Sequence, residues 1–243
     1  MDLIDRLAIR NRPAGHPLMH QAWGKLLFMH WRIDPALLRS IIPNKLEIDT
    51  YDGSAWLGVV PFTMWDIRGF PPYLPRIPGF NAMHELNVRT YVHYNGVPGV
   101  WFFSLDCTHE AAVLAARTFY YLPYYKAHID LDQDEQVITY ECQRLEAPAA
   151  RFIGRWEIGD GLPTNEAESL EFFLTERYCL YSERRGQIYR SRVFHQPWSL
   201  RSAKIHDWQS SMIESLGLVT PAEEPLLHYA EELSVEIWKL EKV

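Results

Sequence analysis

The chain has 243 residues, 47% hydrophobic, 14% aromatic and 23% charged, enough apolar content for one large core and too much for a disordered or fibrous chain. Its 31 acidic residues outnumber 24 basic ones, giving a formal charge of -7, and no long basic run occurs, so no nucleic-acid partner is expected. Cys107, Cys142 and Cys179 are odd in number and fall in no metal-ligand spacing, which fits a reducing, cytoplasmic compartment, and no run of about 18 apolar residues predicts a membrane span.

The N-terminal "MDLIDRLAIRNRPAGHP" mixes charges with apolar residues, so it reads as no signal peptide, and "IDRLAI" is expected to pack as one amphipathic turn. "IDPALLRSIIP" predicts a short helix with Asp34 as N-cap, Pro35 at the first position and Pro43 as the stop. "LEIDTYDGSAWLGVVPFTM" then reads as a hairpin, two strands about an Asp52-Gly53 turn. "FPPYLPRIPGF" holds too many prolines for a helix or central strand and predicts an extended loop.

"HELNVRTYVHYNGVPGVWFFSLD" is a second hairpin about Asn95-Gly96, and "HEAAVLAARTFYY" a helix capped by Thr108 and ended near Pro123. Strands follow in "KAHIDLDQDEQVITYECQRL" and "ARFIGRWEIG". A helix over "NEAESLEFFLTE", capped by Thr164 or Asn165, leads into a hairpin in "YCLYSERRGQIYRSRV". "HDWQSSMIESLGL" reads as a last short helix with Gly217 past its end, and "ELSVEIWKL" as a closing strand. No linker, repeat or composition shift divides the series, so 1-243 is read as one domain, α+β and mainly antiparallel β or barrel-like, with self-association through exposed edge strands an open expectation.

Side chains alternate along a strand, so "HELNVRTYV" puts Glu85, Asn87, Arg89 and Tyr91 on one face and Leu86, Val88 and Val92 on the other. The polar face either meets solvent or lines a cavity; in a cavity, the arginine would hold a carboxylate and Glu85 would balance it or act as acid or base. No metal or cofactor is expected. Pro17 breaks the His16/His20 spacing, and no phosphate loop or nucleophile elbow occurs. Ser104, Asp106, Cys107 and His109 in "SLDCTHE" read as chance neighbours.

Five blocks in order, "LEIDTYDGSAWLGVVPFTM", "ELNVRTYV", "GVPGVWFFSLD", "AARTFYYLPYYKA" and "LTERYCLYS", resemble the YqjF-like family of conserved bacterial proteins, from about Trp23 to Trp198. That family resembles the acetoacetate decarboxylase-like superfamily. The resemblance implies a cone-shaped antiparallel β-barrel within a larger sheet, with a few peripheral helices and the "ELNVRTYV" face turned toward a cavity. "MHELNV" resembles the decarboxylase's Tyr-Asn-Glu block, with Glu85 at the acidic position, and "ARTFYYLP" its Arg-Glu block, with Arg117 six residues before Pro123. The decarboxylase then has two lysines, one forming an imine with the substrate ketone; this chain has Tyr124 and Tyr125.

Lys126 follows, on the same side of an extended segment as Tyr124 and about 6.6 Å farther along. It is either a displaced Schiff-base amine or part of a solvated face of Tyr124, Lys126, His128 and Asp130, with Tyr125, Ala127, Ile129 and Leu131 inward. The leading expectation is a small carbonyl or carboxylate ligand held by Glu85, Asn87, Arg89, Tyr91, Arg117, Tyr124 and Tyr125, without imine chemistry. Two alternatives stand beside it: a β-keto acid lyase using Lys126, and a non-catalytic interaction protein with a filled barrel.

Overall fold

The computed structural model describes residues 5–69 and 82–243. A 3-10 turn over Ala8–Arg10 buries Ile9 in the core, and strand β1, Met19–Ile33, follows. Helix α1, Pro35–Arg39, starts where expected: the Asp34 carboxylate accepts the Ala36 N–H at 2.8 Å.

Next come β2, Glu47–Ile48, and β3, Ala55–Gly69. The Asp52-Gly53 turn forms, with φ of 49° and 75° and a Tyr51–Ser54 bridge, but β2 does not pair with β3 as the hairpin reading required. Both edges of β3 are taken by β1 and by β4, Ala82–Tyr94, so β2 pairs with β4 instead, at Val92 and His93, past the last β3 partner at Thr90. The "FPPYLPRIPGF" loop lies outside the described residues.

Strand β5, Val97–Cys107, forms the expected hairpin with β4 about Asn95-Gly96. Helix α2, Glu110–Phe119, is capped not by Thr108 but by His109, whose Nδ1 accepts the Ala112 N–H at 3.3 Å. Thr108 instead completes the hairpin's end, exchanging hydrogen bonds with the His84 backbone. Strands β6, Tyr124–Asp134, β7, Val137–Arg144, and β8, Arg151–Gly161, form a meander.

Helix α3, Leu170–Thr175, is shorter than expected. Ser169 caps it by accepting the Phe172 N–H, while Asn165 reaches across to the Thr175 hydroxyl. The hairpin of β9, Cys179–Arg184, and β10, Gln187–His195, forms as read. Strand β11, Leu200–Ser210, takes the first half of the expected last helix, because its pairing with β8 continues to Ser210 opposite Phe152 and satisfies that backbone. Only a 3-10 turn, Glu214–Leu216, remains, closed by Gly217 at φ 79°. Strands β12, Leu226–Ile237, and β13, Glu241–Lys242, end the chain.

The thirteen strands pair in the order β13-β10-β9-β5-β6-β7-β8-β11-β12-β1-β3-β4-β2, with β4–β5 and β10–β12 also joined. Two strands fork. β5 keeps β4 on one edge and divides the other between β9, at Val100 and Trp101, and β6, at Leu105 to Cys107. β12 keeps β1 on one edge and divides the other between β11, at Tyr229 and Ala230, and β10, at Val235 to Ile237. All pairings are antiparallel except those of β5 with β6 and β9.

The forks close two rings that share β12, β1, β3, β4 and β5. Because side chains alternate, each shared strand serves both rings. Leu27, Met29, Val59, Leu86 and Val88 face the ring completed by β6, β7, β8 and β11, which Tyr140, Phe152, Trp156 and Tyr229 fill. Leu26, Phe28, Val60 and Phe62 face the ring completed by β9 and β10. An extra residue in β5, Phe103, shifts that strand's alternation so that Val100, Phe102 and Leu105 all face the second ring. Among the described residues no helix is long and apolar enough to cross a membrane.

Candidate functional site

The second ring is not filled. It encloses a cavity of about 400 Å³ walled largely by apolar side chains, among them Phe28, Val60, Phe62, Met64 and Trp198. Helix α2 closes part of it with small residues, Ala112, Ala115 and Ala116. Polar side chains on the wall include Glu85, Asn87 and Arg89 from one face of β4, Tyr124 from the start of β6, and Arg177 and His195.

Glu85 is 2% exposed, and the Tyr124 hydroxyl donates to its Oε2 at 2.7 Å. Burial raises the carboxyl from 4.5 to about 7, against hydrogen bonds from Tyr124 and Asn87 that lower it, and with a further push from Asp106. Burial likewise lifts the Tyr124 phenol well above 10, and Glu85 adds to that shift, so the phenol is a donor at neutral pH.

Arg89 stands opposite Gly58 on β3, where an added Cβ would come within 3.3 Å of the arginine Cγ and 3.2 Å of the His30 ring. Its guanidinium carbon lies 5.3 Å from the Phe28 ring centroid and 5.8 Å from that of Tyr91. Its Nε is buried without a partner, and the guanidinium makes no hydrogen bond or ion pair to any described residue.

Arg177 follows α3. Its Nε donates to the Phe173 carbonyl and its Nη1 to Asp49 Oδ2, each at 2.7 Å, while Arg6 holds the other oxygen of Asp49. Its Nη2 is buried with no partner, and its guanidinium carbon lies 4.6 Å from the Tyr91 ring. Tyr91 shares the β4 stripe but is packed behind the wall: its hydroxyl donates to the Leu174 carbonyl at 2.7 Å and meets His30 Nε2 at 2.6 Å. Burial, then Arg89, His228 and Arg177, hold His30 well below 6.5 and therefore neutral.

Four expected site residues are not on the cavity wall: Tyr91, Arg117, Tyr125 and Lys126. Arg117, in the last turn of α2, is turned away from the cavity: it donates to the Tyr124 carbonyl at 2.7 Å and pairs with Glu146. Tyr125, next along the strand, points away from Tyr124 and stacks 4.0 Å from the Arg144 guanidinium, which grips Asp106 at 2.6 and 2.8 Å. Lys126 shares Tyr124's side, but α2 crosses that face and Glu110 in its first turn binds the ammonium at 2.6 Å, leaving the side chain 40% exposed. Farther along, Ala127 and Ile129 are buried and His128 and Asp130 exposed, so the solvated-face reading of β6 fails only at Tyr124, which turns into the cavity. Among the described residues no lysine borders the cavity.

The "SLDCTHE" neighbours go separate ways: Asp106 to Arg144, His109 to the α2 cap, and Cys107 into the core, where burial pushes its thiol to about 12. No group of three or more acidic, His or Cys side chains could hold a metal among the described residues. Arg177 and His195 are wall residues that sequence reasoning passed over, although Arg177 lies in the "LTERYCLYS" block.

Residues 20–234 match the DUF2071 family, described as "Uncharacterized conserved protein (COG2071)". The chain is 41% identical over 230 residues to the protein YqjF of Bacillus subtilis (strain 168), covering 95% of this chain and 94% of that one. Its fold is similar to the enduracididine biosynthesis enzyme MppR, complexed with the condensation product of pyruvate and imidazole 4-carboxaldehyde (TM-score 0.67, 12% identity, 94% of this chain and 90% of that one). It is also similar to an acetoacetate decarboxylase-like enzyme from Sphingomonas wittichii RW1 (0.60, 13%, 94% of each chain) and to acetoacetate decarboxylase from Legionella pneumophila (0.59, 14%, 95% and 88%). At these identities the structural matches bear on the fold alone.

Proposed function

The chain belongs to the DUF2071 family and has the acetoacetate decarboxylase-like fold, and from that premise we propose that its cavity binds a small carbonyl or carboxylate compound and that Glu85 moves a proton on it. The observation that carries the reading is Arg89, a guanidinium in an apolar enclosure with no acid partner among the described residues. An unpaired cation at such a site is costly, and an anionic ligand is its natural complement.

Glu85, near 7, is populated in both protonation states at neutral pH, as a general acid/base requires. Ionised, it takes a proton from the carbon beside the ligand's carbonyl, and the C–H electron pair moves onto the carbonyl oxygen as an enolate. The Tyr124 hydroxyl then turns from Glu85 to donate to that oxygen. Return of the proton to carbon completes the cycle, with no imine step and no lysine. The open cavity also speaks against the filled-barrel alternative. Three free, buried cysteines support a cytoplasmic location as part of the same proposal.

The test is hydrogen–deuterium exchange beside the carbonyl of 7-oxooctanoate in D₂O, followed by NMR. Exchange should rise with pH through a midpoint near 7 and vanish in Glu85→Gln. An unaltered exchange rate in that variant, or no saturable binding of the oxo acid, would sink the proposal.

A further inference from the structure

We propose that the ligand is an elongated acid: a carboxylate gripped by Arg89 and Arg177 at one end of the cavity, and an aliphatic or aromatic body running past Phe28, Val60 and Phe62 toward Glu85. This rests on the proposed function above and adds to it the second arginine and the class of ligand.

Arg89 and Arg177 both border the cavity beside Tyr91. Both guanidinium carbons lie against the same ring, that of Tyr91, at 5.8 and 4.6 Å from its centroid, and each has a buried nitrogen with no partner. Arg177 is 7% exposed and shares its one acid, Asp49, with Arg6, so the cluster of Arg6, Arg89, Arg177 and Asp49 keeps an excess of positive charge where it borders the cavity. His30, beside them, is neutral and adds no charge. The polar wall residues next to Arg177, Thr175 and His195, are already committed to backbone carbonyls.

Glu85 and Tyr124 lie at the other end. Glu85 and Arg89 are four positions apart on β4, about 13 Å at roughly 3.3 Å per residue, and the Arg89 guanidinium is held between the rings of Phe28 and Tyr91. A short acid such as pyruvate cannot touch both. The wall between is apolar, and about 400 Å³ is room for about 13 atoms of water-like size at about 30 Å³ each. The fit is a medium-chain or aryl-bearing acid whose carbonyl lies well along the chain from its carboxylate.

Isothermal titration calorimetry of the full chain with butanoate, hexanoate, octanoate and decanoate, each kept monomeric, tests this, with 1-octanol as the uncharged control. Affinity should rise by about fourfold per added methylene until the cavity is full. Octanoate should bind at least about tenfold tighter than 1-octanol, a preference that Arg89→Met and Arg177→Met each reduce. Affinity independent of chain length would overturn the elongated ligand while leaving the proposed function standing. Equal binding of octanoate and octanol would overturn the arginine grip. No binding of any acid, together with no proton exchange on 7-oxooctanoate, would overturn both. Should Arg177→Met fail to fold, Arg89→Met and the octanol comparison on the unaltered protein still decide.

Discussion

Replacing Glu85 with glutamine should change how stability depends on pH. The unfolded chain loses the Glu85 proton near 4.5, whereas the folded chain keeps it to about 7. A folded-state pKa raised in this way contributes stability that is fully present below 4.5 and is lost as pH climbs to about 7. The interval corresponds to about 3 kcal/mol at about 1.4 kcal/mol per pH unit. The amide of Glu85→Gln imitates the protonated carboxyl, still accepts from Tyr124, and does not titrate. Urea unfolding of both proteins from pH 4 to pH 9 should therefore give a difference that is near zero at pH 4, grows in favour of the variant, and levels off above pH 8. Subtraction removes the groups common to both, including His30, His195 and His228, whose lowered pKa values weaken the fold on the acid side, below 6.5. A difference that stays flat between pH 4.5 and pH 7 would refute the argument that burial controls this carboxyl.

Tyr124→Phe removes a hydrogen bond that lowers the Glu85 pKa, so the carboxyl's titration midpoint, read by carbon-13 NMR, should move above 7; an unmoved midpoint would show the phenol to be irrelevant. Arg89→Met removes an unpartnered cation and should raise the urea midpoint, by up to about 1 kcal/mol in stability, while weakening carboxylate binding. Arg144→Met strands Asp106, a carboxylate with no exposure, and should cost about 3–5 kcal/mol, with Asp106→Asn in the same chain restoring much of it. Lys126→Ala breaks an exposed pair and should leave stability within about 0.5 kcal/mol, and borohydride added with acetoacetate should label no lysine at that position in the unaltered protein.

The strand content and the β4 stripe were legible because pleating is a local property: "HELNVRTYV" needs only its own alternation to put Glu85, Asn87 and Arg89 on one face. Which stripe residues border the cavity was not local. Tyr91 falls behind the wall because Leu174 and His30 claim its hydroxyl, and both come from distant segments. The pairing of Lys126 with Glu110 likewise depends on how α2 crosses β6, which no period in either element records. Arg177 was hidden for a similar reason. A Glu-Arg pair at the end of a short helix reads as solvated, and only the buried Asp49, from the turn before β3, reveals that the arginine points inward. The last helix was misread because "WQSSMIESLGL" carries helical spacing and a glycine stop, whereas the edge of β8 that recruits it as strand lies far back in the chain.

Tyr124 stands where the resemblance to the decarboxylase would place a lysine, and the difference reaches past the missing amine. An ammonium 2.7 Å from Glu85 would favour the ionised carboxylate and draw its pKa down, as an opposite charge at that range does. A neutral phenol offers only a hydrogen bond, burial prevails, and the carboxyl comes to rest at about 7. The exchange also redistributes charge along the cavity. With a lysine at the Glu85 end, both ends would attract an anion; with tyrosine there, the excess positive charge on the wall lies with Arg89 and Arg177, since Arg68, the other arginine there, pairs with Asp66. Under the proposed function, the carboxylate of a ligand then has one place to go, and what arrives at Glu85 is the uncharged part of the molecule. That polarity is what the proposed acid/base step on a carbonyl needs. Under that proposal, "LPYYKA" marks a difference in which atoms of the ligand meet Glu85, as well as the absence of lysine at positions 124 and 125.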